Sequence, residues 1–176
     1  LVDMPGEGLT VQANLTKCEA AAAYIYLKRT LPDRGMIAQA AHELMHAIQF
    51  SYDVAAKCVT DYYTTVEATA VWATNYVYPV NDWEHKYAKS YLAGGRVSTS
   101  YDDRSAPNTF RYGAYLFPLF LETRFGPTIV KDIWEKTAVY SQELYAIDSA
   151  IGAHSSSLNL EWPKFLAAIW NRDTIN

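Results

Sequence analysis

Cysteine is scarce in this sequence: among 176 residues there are two, Cys18 and Cys58. Neither sits in a C-x-x-C pair, which argues against a cysteine zinc site or a thioredoxin-like redox motif. The even count permits one disulfide, closing a loop of about 40 residues and worth roughly 4 kcal/mol in the chain-entropy model; two free buried thiols are the alternative. Basic runs are also missing. No Lys/Arg block exceeds two residues and the formal net charge is −4, so the footprint that nucleic acid or an anionic membrane requires is absent. No run reaches 18 apolar residues, so no transmembrane helix is expected. The chain opens at Leu1 without Met or a charged-plus-apolar leader, so the expectation is that a signal peptide is absent or has been removed.

What is there is a globular composition. Half of the residues are hydrophobic and 14% are aromatic, with 14 tyrosines, which excludes a disordered chain. Tyr-rich, Lys-poor compositions are common among exported proteins. The length suits one domain spanning 1–176.

The pattern along the chain is mainly helical. Residues 1–16 read as extended or loop, and 21–29 ("AAAYIYLKR") as the best strand. A helix is expected over about 34–51 with Asp33 as its N-cap. A second runs over 61–78, capped by Asp61 and ended by Pro79. A third covers 81–93, and 94–110 form a long surface loop of the kind that is often functional. Then come a helix over 111–125, kinked at Pro118 and closed by Gly126-Pro127, and helices over 128–140, 142–152 and 160–172, the last capped by Asn159 or Ser157. The fold class is mainly α (α+β), with a small strand region at the beginning.

The stretch "AQAAHELMHAIQF" (38–50) carries the chemistry. Residues four apart on a helix share one face, so His42 and His46 can both reach one Zn²⁺. Glu43 is turned about 100° away, which unfits it as a third ligand beside them but lets it reach a water on the metal's open side. Such a pair serves metal-assisted hydrolysis, in which a carboxylate takes the proton of the attacking water. Ala41, Leu44, Met45 and Ile48 make the helix apolar on more than one side, and a buried histidine or glutamate must find partners. The competing reading is a helix with two hydrogen-bonded histidines and an exposed Glu43.

A third ligand decides between them. Gln49 and Tyr52 stand where the metzincin pattern needs Gly and His, so that pattern fails. His85 and His154 lie in polar segments without metal-like spacing. Glu67 is the best candidate: it sits on the next helix among Val66, Ala68, Ala70, Val71 and Trp72, where an ionised carboxylate is costly without a cation. A helix–loop–helix hairpin would complete a His₂Glu site.

This arrangement resembles the gluzincin metallopeptidases, of which thermolysin is the familiar case. More closely, "AHELMHAIQFSYD", "VEATAVWATNYVYP" and "RYGAYLFPLFLETRFG" together resemble a group of secreted bacterial metalloproteases with a peptidase-MA-like domain. Their pattern runs AHExxHAxQ, then EAxAvW, then YGxxLFxxfLxxrfG, and covers about residues 22–140. The resemblance implies a zincin-like fold, zinc bound by His42, His46 and Glu67, Glu43 as general base, hydrolysis of a peptide or protein substrate, and a secreted, extracellular location. Two departures stand out. Val71 occupies the place of the Asp that orients a zinc-binding His in thermolysin-like enzymes, which leaves Asn75 as the expected support. Gluzincins also carry a sheet of several strands before the active-site helix, whose edge strand holds the substrate backbone. With one good strand here, the chain is either a fragment or has a reduced sheet.

Gluzincins usually aim a Tyr or His donor at the developing oxyanion. Tyr112 is the first choice, next to Gly113, which lets another backbone approach; Arg111 and Tyr115 are the alternatives. A substrate strand would add to the edge of residues 21–27. A monomeric zinc peptidase is therefore expected. A catalytically inactive zincin-like domain that binds a protein or glycan, and a zinc hydrolase acting on a non-peptide bond, are the competing readings.

Overall fold

The structure is a computed structural model that describes residues 1–13, 20–52, 62–93 and 108–171. Two strands, β1 (Gly8–Gln12) and β2 (Ala23–Leu27), are followed by eight helices among the described residues: α1 (Asp33–Gln49), α2 (Tyr63–Val77), α3 (His85–Ala93), α4 (Asn108–Gly113), α5 (Leu116–Phe125), α6 (Thr128–Lys136), α7 (Glu143–Gly152) and α8 (Leu158–Trp170). The expected fold class holds: a mostly helical protein with a small N-terminal antiparallel hairpin ahead of the first helix. None of the helices among the described residues is long and apolar enough to cross a membrane.

The hairpin pairs Gly8 with Leu27, Thr10 with Ile25 and Gln12 with Ala23. β1 lies inside the stretch read as extended or loop. Five residues with no strong alternation become a strand because β2 supplies their hydrogen-bond partners. Tyr24, Ile25 and Tyr26 on β2 are largely exposed. Val2 forms an isolated parallel bridge to Lys28.

The core is built around α2, which packs on α1, α4 and α5. Ala68, Ala70, Val71, Trp72 and Ala73 are all buried, as expected of a helix apolar around most of its circumference. Its threonines fit there because their hydroxyls are bonded: Thr69 donates to the Thr65 carbonyl at 2.8 Å and accepts the Trp134 indole N–H at 3.1 Å. The start of α2 is held from a distance. Glu143, in the first turn of α7, accepts the Thr65 amide (2.8 Å) and hydroxyl (2.6 Å). A carboxylate there meets both an orphan N–H and the positive helix end. The expected cap Asp61, the cysteines and most of the 94–110 loop lie outside the described residues.

Three other expectations are corrected. The helix over 111–125 is two helices, broken at Ala114–Tyr115, and Pro118 does not kink it. Pro118 falls in the first turn of α5, where its missing N–H would have had no intrahelical acceptor. Leu44 and Ile48 on α1 are about half exposed rather than buried; the helix buries Ala38, Ala41, His42, Met45 and Gln49 on one side and Glu43 against the hairpin. Asp33 is the first helical residue rather than the cap, and Pro32 takes the cap position. Gly126, at the end of α5, does adopt φ +88°, which glycine tolerates without strain.

Candidate metal centre

α1 and α2 lie side by side, and the sequence-predicted ligands meet in the seam. His42 Nε2 and His46 Nε2 are 3.0 Å apart. Glu67 Oε2 lies 3.4 Å from the first and 3.5 Å from the second. His42 is 8% exposed and Glu43 3%, so the reading with an exposed Glu43 fails. The residues sit at one side of a cleft of about 500 Å³, lined also by Gly8, Thr10, Tyr87 and Tyr112.

The donors suit a metal. Glu67 Oε2 is buried and has no hydrogen-bond partner, a costly state for a carboxylate oxygen unless a cation takes it up. Four tetrahedral donors about 2.0–2.1 Å from zinc sit about 3.4 Å from one another, close to the three separations here. Burial would raise the pKa of Glu67, but the His42 and His46 rings beside its Oε2 outweigh it and hold it far below the carboxylate range. Burial works against a charged His46, yet Glu67 outweighs it and raises its pKa. The His42-Glu43-x-x-His46 motif with Glu67 on the following helix matches a gluzincin-type zinc-metallopeptidase active site, poised for catalysis and able to chelate a metal ion.

The support of His46 comes from a residue that sequence reasoning passed over. Gln49 Nε2 donates to the Val66 carbonyl (2.9 Å) and to Thr69 Oγ1 (3.0 Å). With both donors spent on α2, Gln49 Oε1 faces His46 Nδ1 at 2.8 Å. An acceptor there fixes the imidazole proton on Nδ1 and leaves the Nε2 lone pair free. Asn75, the expected support, instead donates to Glu84 Oε1 at 3.0 Å. The signal for Gln49 was in the pattern AHExxHAxQ, whose last letter it is.

Glu43 is held on both oxygens. The Thr10 hydroxyl lies 2.6 Å from Oε2, and Gln39 Nε2 donates to Oε1 at 2.7 Å. A Cβ on Gly8 would come within 2.5 Å of Glu43 Oε1, so any other residue there would push the Glu43 and Gln39 side chains aside. Neither Thr10 nor Gln39 carried a sequence signal, because one lies on an unrecognised strand and the other looks like an ordinary helical polar residue.

Tyr112 reaches the site. Its ring stacks 6.0 Å from that of His42 and 5.1 Å from that of Tyr87. Burial first, and the charge of Glu67 second, push its phenol up to about 12, so it stays protonated and able to donate. Arg111 Nη2 is 3.6 Å from Glu67 Oε1. Tyr115 is buried in the core and does not line the cleft, which removes it as an alternative. Gly113 permits a close approach as expected: a Cβ would meet Tyr91 Cβ at 2.4 Å and the Tyr87 carbonyl at 2.7 Å. The strand lining the cleft is β1, not β2, so the edge of residues 21–27 does not border the cleft. His154 lies 3.2 Å from Asp132, while His85 shares a second cluster with Asp82 and Glu84.

Comparison with known proteins supplies no relative: no family model matches the chain, and no curated protein or solved structure does.

Proposed function

We propose that this protein is a zinc-dependent peptidase. The observation that carries the proposal is the convergence of two imidazole nitrogens and an orphaned carboxylate oxygen within 3.5 Å, beside a buried glutamate in an open cleft. His42, His46 and Glu67 hold the metal. When bound, zinc supplies Lewis acidity, which polarises a carbonyl and makes a water easier to deprotonate.

The chain's own groups do the rest. Glu43 takes the proton of the attacking water and returns it to the leaving amine. Thr10 and Gln39 keep its carboxylate in place. Tyr112 donates to the oxygen on which negative charge develops, a task suited to a phenol that remains protonated at neutral pH. The substrate backbone adds to β1. Lys28 N–H donates to the Glu7 carbonyl and Ala13 N–H to the Ala22 carbonyl. By antiparallel alternation, the backbone groups of Gly8 and Thr10 then turn away from β2. An extended peptide can pair with them along the cleft. Action outside the cell belongs to the same proposal, on the resemblance to secreted peptidases alone.

The test is a peptide library offered to zinc-loaded wild type and Glu43→Gln. The expected result is cleavage that falls by about 100-fold or more in the variant while its zinc content is unchanged. A zinc-loaded wild type that cleaves no peptide would overturn the proposal and leave a binding domain or a hydrolase of another bond.

A further inference from the structure

Three potential ligands lie together at the turn into α3, away from the residues proposed to hold zinc. Asp82, Glu84 and His85 each offer one donor atom, all within 4.8 Å of one another. His85 Nε2 lies 3.7 Å from Asp82 Oδ1 and 3.7 Å from Glu84 Oε1. These separations are too long for hydrogen bonds. They are near the donor–donor edge of about 3.4 Å that zinc with N and O ligands sets.

Glu84 makes this more than a group of surface charges. Its side chain is 1% exposed, and its Oε2 has no hydrogen-bond partner. Asn75 on α2 donates to Oε1 and so fixes the carboxylate toward His85, the kind of outer support that ligating carboxylates carry. Among the described residues no lysine or arginine pairs with Asp82 or Glu84: Lys86 is taken by Glu7 at 3.1 Å and Arg34 by Asn81 at 3.2 Å. A buried carboxylate with an open oxygen and no cationic partner is costly. Burial first, then the nearby carboxylates of Glu84 and Asp82, push up the pKa of Tyr115.

The segment is also braced. Asn81 is buried, accepts from Arg34 and donates back to the Arg34 carbonyl at 2.9 Å. Trp83 packs over Gly35, where a Cβ would meet its ring at 3.0 Å. The three donors therefore sit on a turn already fixed against the start of α1.

We propose that Asp82, Glu84 and His85 form a second divalent-metal site, for a transition ion such as Zn²⁺ bound through two carboxylates and one imidazole. Asp82 and His85 are 53% and 61% exposed, so coordination positions stay open to water and the site is the weaker of the two. The ion ties the turn to α2 through Glu84 and steadies α3, which carries Tyr87 into the cleft.

The experiment is zinc titration of metal-stripped full chain, followed by calorimetry and by Trp fluorescence, since Trp83 lies between two of the ligands. Wild type is compared with His85→Ala, Glu84→Gln and the double variant His42→Ala/His46→Ala. Two equivalents are expected in wild type. His85→Ala and Glu84→Gln should each weaken the second equivalent at least 10-fold and leave the first intact. The double variant should lose the first and keep the second, so failure of the peptidase site would not mask this one. His85 is exposed, so its variant keeps the fold even if Glu84→Gln does not. Wild-type zinc binding, of one equivalent or two, that is indifferent to His85→Ala, or a double variant that binds no zinc, would overturn the proposal.

Discussion

The amide of Gln49 is fixed by two acceptors on α2, and through it the proton of His46 is fixed as well. Replacing Gln49 by Leu keeps much of the volume and removes the acceptor that sets the tautomer. Zinc affinity is expected to fall 10–100-fold, measured by competition with a chromogenic chelator; unchanged affinity would mean that Gln49 only packs. At this scale the sequence was legible where chemistry follows local spacing. His42, Glu43 and His46 are read off one helix, and Glu67 off the incongruity of a carboxylate among apolar residues. Asn75 was misplaced because its partner Glu84 comes from the turn into the next helix. His85 was set aside because Asp82 and Glu84 do not look like a motif. What joins them is burial of Glu84, which adjacent letters do not reveal.

Between elements, a charged link joins α5 to α8. Glu161 accepts from Arg124 at 3.1 Å, Lys164 at 2.8 Å and Ser156 at 2.7 Å. Burial alone would raise its pKa, but these donors outweigh burial and hold it at about 2, below its ordinary 4.5. A depressed folded-state pKa gives stability that is complete above the unfolded value and is lost as pH falls toward the folded one. Glu161→Gln should therefore cost about 1–2 kcal/mol at neutral pH, a modest figure because Arg124 and Lys164 are half open to water. The deficit should narrow as pH drops from 6 to 3, measured by denaturant unfolding across that range. A pH-independent deficit would assign Glu161 a packing role alone. Elements were legible where periodicity was long, as in α1 and α2. β1 was not, because five residues acquire strand character only from pairing with β2. The α4–α5 break was not, because Pro118 reads equally as a kink or a first-turn residue until the chain's path is known.

For the whole molecule, one helical body carries the site on a single seam. α2 is buried against α1, α4 and α5, and presents Glu67 to the two histidines. The hairpin lies across α1 and clasps Glu43 through Thr10. Substrate pairing on β1 and proton transfer at Glu43 are thus neighbours in the fold, and both depend on the α1–α2 contact that aligns the metal ligands. The most direct test is the zinc content of purified wild type against Glu67→Ala, by elemental analysis after exhaustive dialysis. The expected result is one zinc per chain in wild type that is missing from the variant, with the helical circular dichroism of both alike. Equal zinc in the two proteins, or none in wild type after reloading, would contradict a His₂Glu centre.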